Sequence, residues 1–578
     1  MLKYLKMRRS ATIVAAVAAG VLLLLYARGP HRDSSLYEFE RRRISGLVVP
    51  HHDIVKDVRR ALFADVARTR DREPDTIVLL SPNHFELGTE PIQSTLEPWE
   101  TASGVIEPNV ELIERLVSGG GVTLRPESFV TEHGVHLLLR DIKETFPRSR
   151  IVPLIFKMSA TAGELDALVA ILADHCARCL MVASVDFSHD QPALLADLHD
   201  AVSLRALRML DAPQLLHKAE VDSPAALAVL ALWARTQETP RFHTFSHTNS
   251  GVIVSEREGE TTSHIFGWYE SGVPTEQEDF ATFAVGGDVM LARGVAKRYG
   301  RDLLEVARGL GERVFWGVDA ALVNLEGAVS REPILPDVRP GTMTFLFPPE
   351  TVEVLQHLRV NIVSLANNHA SNGGAGGLVT TRQILAENDI MWIGGPGEDS
   401  VDDVALVRGQ GINLVFIGVH LLVEVPDITS VIEKYATDES NRVIVFPHWG
   451  IEYAVEHATL EEDLAHAWID AGADLVVGSH PHVIQDVAVY KNKPIVYSLG
   501  NLIFDQEFSE DTQEGLLLFG AFREGGLSIF PLPVQQKRYR PAFMRGERKK
   551  EILAEIDDVW RAFSTTSSEG TSYFFPAH

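Results

Sequence analysis

The sequence predicts a membrane-anchored protein of two α/β domains, and three observations carry that reading. The chain has 578 residues, more than one hydrophobic core normally serves. Short β-rich runs alternate with helical patterns through both halves, which is the sequence form of α/β layers. Near the amino terminus an uncharged apolar stretch, Ala11 to Ala27, follows Lys3, Lys6, Arg8 and Arg9.

Residues 1–35 therefore read as a basic cytoplasmic flank and a transmembrane helix. The stretch is short for a span and slightly long for a signal-peptide core. No small-x-small cleavage site follows it, and the basic flank favours the cytoplasmic side. The expectation is a single-pass protein of the cell membrane with its domains outside the cytoplasm; secretion after signal cleavage is the alternative. Apolar residues make up 45% and charged residues 23%, which excludes global disorder. A net charge of -26 argues against a nucleic-acid partner, because tracking phosphates needs clustered cations. The only cysteines, Cys176 and Cys179, form a lone C-x-x-C with no second ligand pair at zinc spacing, so a structural pair oxidised outside the membrane is expected.

"SGVPTEQEDF", residues 271–280, interrupts two strand-like runs and places a linker at 273–280. It separates a domain at 45–272 from one at 281–540, with a helix and flexible tail at 541–578. The second domain offers strands at Phe283–Asp288, Ala321–Leu325, Asn361–Leu365, Asn413–Gly418, Arg442–Phe446, Asp474–Val477 and Pro494–Leu499. Most of these runs end on metal-ligand chemistry: Asp288, then Asn324 and Glu326, then Asn367, Asn368 and His369. His448 follows, then His480 and His482, and finally Asn501 and Asp505. Ligands in α/β sheets gather outside the carboxyl ends of strands, so six donor sets are expected at one sheet edge. Carboxylate, carboxamide and imidazole donors without thiolates suit zinc, manganese or iron(II), as one ion or two.

The first domain carries a second set. "GLVVPHHD" supplies His51 and His52, "SPNHFE" His84, "TEHGVH" Glu132, His133 and His136, and "VDFSHD" Asp186, Ser188 and His189. His51, His84 and His189 directly follow β-rich runs and are site candidates. His133 and His136 open a helix three residues apart and can share a face, while His52 and His136 are expected to be structural.

"GGDVMLARG", "VNLEG", "SLANNHASNGG", "HWGIEY", "DAGADLVVGSHPHVIQ" and "YSLGNLIFDQ" resemble, in order, the motifs of the CapA (poly-γ-glutamate capsule synthesis) family over residues 280 to 535. That resemblance implies a calcineurin-like metallophosphoesterase sandwich. It implies metal ligands at Asp288, Glu326, Asn368, His448, His480 and His482, His369 as acid or anion-stabilising partner, and Glu452 as a group that orients a ligand or takes part in catalysis. Two departures stand out. Met290 occupies the histidine position of the family's D-x-H, and Asn372 the place of an aspartate. The first removes a ligand, and the second replaces a carboxylate by a weaker cation binder that cannot act as a base.

The order "PHH", "SPNH", "EHGVH", "VDFSHD" and "HTNSG…IFGWYESG" resembles the Memo family (AmmeMemoRadiSam system protein B), whose fold is similar to class III extradiol dioxygenases. The resemblance implies His51 and His84 as metal ligands, with Asp186 and His189 as groups that orient a ligand or take part in catalysis. The family often supplies a cysteine as third ligand; here "AEVDSPAAL" offers Asp222. Two histidines and a carboxylate form a facial triad suited to non-haem iron(II).

Together these resemblances imply a metal-dependent protein that makes, trims or exports an extracellular capsule polymer. Its partners would be that polymer or its precursor, the membrane, and other capsule-synthesis proteins. A non-catalytic assembly factor and an iron-dependent redox activity in the first half are the alternatives.

Overall fold

The structure, a computed structural model, describes residues 42–119, 121–255, 259–274, 279–311, 313–332, 343–396, 401–566 and 570–577. The expected transmembrane helix lies outside these residues. Among the described residues no helix is long and apolar enough to cross a membrane.

The first half is built on an eight-stranded sheet in which Thr76–Pro82, Cys179–Ser184 and Ile44–Val49 lie side by side and parallel. These strands are buried along their whole length, as strands covered on both faces must be. One face packs against helices Ala162–His175 and Pro224–Thr236; the other packs against Lys56–Thr69 and His133–Thr145. Cys176 and Cys179 are bonded to each other where helix Ala162–His175 gives way to strand Cys179–Ser184.

All seven strands expected in the second half form, but they do not share one sheet. Phe280–Val289, Ala320–Leu325 and Ile362–Ser364 belong to a ten-stranded sheet. Asn413–His420, Asn441–His448, Leu475–Val477 and Lys493–Val496 belong to a six-stranded one. The sheets face each other across a core of Phe283, Leu322, Phe416, Phe446 and Val477. Helices cover the outer faces, giving four layers. The single sheet edge expected from sequence is thus corrected to the carboxyl ends of two stacked sheets.

The carboxyl-terminal segment also departs from expectation. Thr571–Pro576, read as a flexible tail, pairs antiparallel with Gly526–Lys537. Tyr573 and Phe575 alternate inward onto Trp560 of helix Glu547–Trp560 while Phe574 faces out, the period-two pattern of a half-buried strand.

The two halves share buried structure. Arg205, on helix Ala193–Met209, donates to Asp319 at 2.7 and 3.1 Å, and both side chains are buried. Asp319 also accepts from Thr282 N at 2.9 Å, tying the first-half helix to the bases of two central strands. Leu195 and Leu198 of the same helix join the second-half core with Val306, Phe315 and Phe519.

Two glycines let neighbouring strand ends approach closely at the site. A Cβ on Gly287 would overlap the Gly500 carbonyl oxygen, and one on Gly478 the Tyr497 carbonyl oxygen and the Trp449 indole nitrogen. Backbone cannot yield as a flexible side chain does, so Gly478→Ala is expected to cost about 1–3 kcal/mol or more. A shift in the urea midpoint reads this; an unchanged midpoint would show that the strand ends are not in close contact.

Candidate metal centres

In the second half the strand ends bring Asp288, Glu326 and His482 together. One ligand atom from each lies within 4.8 Å of the others, and all three residues are buried. Asn324 Nδ2 donates to Asp288 Oδ1 at 2.8 Å and to Glu326 Oε2 at 3.2 Å, and its own oxygen accepts from Asn367 at 2.9 Å. The carboxylates are therefore held in place from behind. His482 Nδ1 lies 3.1 Å from Asp288 Oδ2 and its Nε2 3.6 Å from Glu326 Oε1, an oxygen with no hydrogen-bond partner. Buried carboxylate oxygens are normally satisfied, and a cation at this point would complete the set.

Beside it stand Asn368, His448 and His480. His448 Nε2 is 3.0 Å from Asn368 Oδ1, and its ring lies 4.7 Å from that of His480, whose buried Nδ1 has no partner. The loop after strand Leu475–Val477 holds His480 at φ 103° and His482 at φ 59°, left-handed values that side chains rarely adopt. Such strain persists only where the surroundings enforce it; here Tyr453 N clamps the intervening Pro481 carbonyl at 2.8 Å.

The electrostatics divide these imidazoles. Burial, reinforced by neighbouring imidazoles, drives His448 well below its ordinary value and His480 to about 4, so both are neutral, the ligating form. Burial also opposes charge on His482, but Glu326 and Asp288 outweigh it and raise His482 to about 9. Glu326 is pushed well above the usual carboxylate range, first by burial and then by Asp288.

His369 stacks on Phe345 at 3.8 Å and points Nε2 toward Glu326 Oε1 at 4.0 Å. Asn372 Oδ1 lies 3.0 Å from His369 Nδ1 and also accepts from Phe345 N at 2.6 Å. Asparagine here thus fixes the ring without adding charge. Met290 turns away from the site into the core, its sulfur accepting from Ala292 N at 3.2 Å.

In the first half, His51, His84 and Asp186 arrive from three adjacent parallel strands, and Asp222 from the segment bridged to Phe187. His51 Nε2 lies 3.4 Å from Asp222 Oδ2 and 3.2 Å from Asp186 Oδ2, and His84 Nε2 lies 3.7 Å from Asp222 Oδ2. Glu132 caps helix His133–Thr145 through Gly134 N and holds His84 Nδ1 at 2.6 Å, directing Nε2 inward. Burial lowers His51 to about 4. Burial opposes charge on His84 too, but Asp222 and Glu132 raise it to about 9.

The profile of bacterial capsule synthesis protein PGA_cap matches residues 282–506, and that of Memo-like protein matches residues 25–257. The chain joins a Memo-like domain to a PGA_cap domain. Capsule biosynthesis protein CapA of Bacillus anthracis is 30% identical over 244 residues, 38% of this chain and 57% of that protein. PGA biosynthesis protein CapA of Bacillus subtilis (strain 168) is 25% identical over 303 residues, 49% of this chain and 80% of its own. MEMO1 family protein Mbar_A1422 of Methanosarcina barkeri is 28% identical over 228 residues, 38% of this chain and 84% of its own. The chain thus spans little more than half of the first of these relatives.

Within the PGA_cap domain the structure gathers Asp288, Glu326 and His482 tightly, with Asn368, His369, His448 and His480 around them. Glu452 lies half-buried in the loop after His448, and Asp505 instead pairs with Arg293 at 3.2 Å. Sequence reading missed His420, whose ring lies 5.9 Å from that of His448 and whose buried Nε2 has no partner. It ends strand Asn413–His420, but the apolar run continues into "LLVEV" and hides the strand end. Within the Memo-like domain His51, His84, Asp186 and Asp222 come together, whereas His189 stands one step back, its backbone N–H bonded to Glu220 at 3.2 Å. His133, expected only to share a helix face, stacks on His84 at 3.9 Å and forms a three-histidine group with His51. His136 is structural, its Nε2 2.8 Å from the Phe129 carbonyl oxygen.

Proposed function

We propose that this protein acts outside the cytoplasm in the synthesis, trimming or export of a capsule polymer of the poly-γ-glutamate kind, through a metal-dependent site in its PGA_cap half. The single observation that carries this reading is the buried, incompletely satisfied Asp288–Glu326–His482 set at the joint end of two stacked sheets. The CapA relatives, a capsule biosynthesis protein and a PGA biosynthesis protein, point to the polymer. The residues fit a divalent ion such as zinc, manganese or iron(II): Asp288, Glu326 and His482 would hold it, with Asn368, His448 and His480 able to hold a neighbour. When bound, such an ion acts as a Lewis acid toward a phosphoryl or carbonyl oxygen. The stacked sheets fit a calcineurin-like metallophosphoesterase sandwich, and the Memo-like half a class III extradiol dioxygenase fold in which His51, His84 and Asp222 would hold non-haem iron.

The chain's own residues supply the rest. His369, kept neutral by burial and donating Nδ1–H to Asn372 Oδ1, presents an unprotonated Nε2 that can accept a hydrogen bond or a proton from a group beside Glu326. The Tyr453 ring lies 6.2 Å from that of His482, and Glu452 is its chain neighbour. The apolar Ala11–Ala27 stretch would anchor the protein, and the Cys176–Cys179 bond fits an oxidising compartment.

Full-length protein stripped with chelator and reloaded with manganese or zinc should regain hydrolysis of a phosphodiester or γ-glutamyl amide. Failure with both metals and both substrate classes would remove the hydrolytic reading. Met290, buried in the core, favours a second reading, an assembly factor with one structural ion. Unchanged capsule in cells carrying His480→Ala with His482→Ala would support that alternative.

A further inference from the structure

The segment that carries Asp222 is gripped from the other half of the chain. Asp222 is first tied to Asp186: its N–H donates to the Asp186 carbonyl at 3.1 Å, and its Oδ2 accepts from Asp186 N at 3.0 Å. That Oδ2 faces His51 Nε2 at 3.4 Å, while the buried Oδ1 has no partner. The two residues before it, Glu220 and Val221, are fully buried. Arg313, in the loop that leads into strand Ala320–Leu325 of the PGA_cap half, holds both. Its Nη1 donates to Glu220 Oε1 at 3.3 Å and to the Val221 carbonyl at 3.3 Å. Glu220 Oε1 also accepts from His189 N at 3.2 Å. One guanidinium thus reaches two segments of the Memo-like site.

The loop is fixed where it makes this contact. Gly317 has φ 66°, and a Cβ there would come within 3.2 Å of His199 on helix Ala193–Met209. Val314 and Phe315 are buried in the second-half core, and the Arg313 guanidinium lies 5.3 Å from the Trp316 ring. Among the described residues Arg313 is the one guanidinium paired with Glu220. A fully buried carboxylate calls for such a partner, because isolated charge is costly to desolvate.

We infer that Arg313, supplied by the PGA_cap half, is a positioning residue of the Memo-like metal site. Through Glu220 and Val221 it sets Asp222 and the His189 backbone, so the site reaches full metal affinity only with both halves docked. This rests on the reading of His51, His84 and Asp222 as metal ligands. An ion pair that only joined the halves would resemble Arg205–Asp319, whose side-chain hydrogen bonds run to Phe280, Gln214 and Thr282. The contacts of Arg313 end instead on the residue before Asp222 and on the carboxylate that holds His189. Groups behind a ligand fix its orientation, and losing one typically costs about 10–100-fold in metal affinity.

The test titrates the full chain with cobalt(II), whose visible absorption reports its ligands. The part of that absorption removed by His51→Ala belongs to the Memo-like site. Arg313→Ala is expected to weaken cobalt binding there by about 10–100-fold. Arg313→Lys should recover most of the loss, since an ammonium can still offset Glu220. Arg313→Met keeps a stem against Trp316 and should weaken binding like alanine, which decides the matter if the alanine variant does not fold. Arg205→Ala, which breaks the other buried pair between the halves, is expected to leave cobalt affinity unchanged. Parent-like affinity in Arg313→Ala or Arg313→Met, or equal weakening in Arg205→Ala, would overturn the inference and leave the metal reading standing. If His51→Ala removed no cobalt absorption, the metal reading would fall and the role of Arg313 with it.

Discussion

Glu326→Gln is expected to weaken the tightest zinc or manganese site of the PGA_cap half by more than about 100-fold. Loss of a residue that only orients a ligand typically costs 10–100-fold, and loss of a direct ligand should exceed that. Glu326 is fully buried, and its Oε1 has no hydrogen-bond partner while facing His482 Nε2 at 3.6 Å. Glutamine keeps the shape and can still accept from Asn324, but it lacks the charge that attracts the ion. Competition against a chelating indicator measures the effect in the full chain, with circular dichroism confirming the fold. Unaltered affinity in a folded variant would show that the Asp288–Glu326–His482 set is not the metal site, whatever the Memo-like half binds.

Arg205→Ala is expected to lower the unfolding free energy by about 3–5 kcal/mol, the usual result of removing one partner from a buried ion pair. The loss arises because Asp319 remains buried at the joint between the halves with only the partly exposed Lys218, 3.7 Å away, to offset its charge. Burial would raise the Asp319 pKa, but Arg205 outweighs it and holds it below the usual range. A carboxylate with a depressed folded value stabilises the fold above its unfolded value, near 3.8, and loses that contribution as pH falls through the folded value. The gap between parent and variant should therefore be widest at neutral pH and narrow below about pH 4. Urea unfolding followed by tryptophan fluorescence measures both effects. Arg205→Met combined with Asp319→Asn should recover much of the loss, since no buried charge is then stranded. A loss under about 1 kcal/mol for Arg205→Ala at neutral pH would show that this pair does not join the halves.

The strands and their terminal donors were legible because buried parallel strands are written as apolar runs, and a polar residue ends such a run abruptly. "VVGSHPHV" and "SLANNHA" are clear cases. His420 was not legible because the apolar run continued past it. The tail strand Thr571–Pro576 was masked by its Ser- and Gly-rich approach, although its Tyr573–Phe575 alternation carried the signal.

The division of the second-half strands between two sheets lay beyond sequence reading. Apolar periodicity reports that a strand is buried but not which strand it pairs with; pairing depends on contacts between residues far apart in the chain. The same holds for Asp186, whose place beside His51 and Asp222 depends on segments far apart in the chain. By itself the sequence determined the α/β class, the two halves and the donor residues, because burial and ligand chemistry are local properties of side chains. Only the tertiary structure decided that Asp288, Glu326 and His482 converge, that Met290 turns inward, and that Arg205 locks the halves together. Those are distances, and they exist only once the chain has closed on itself.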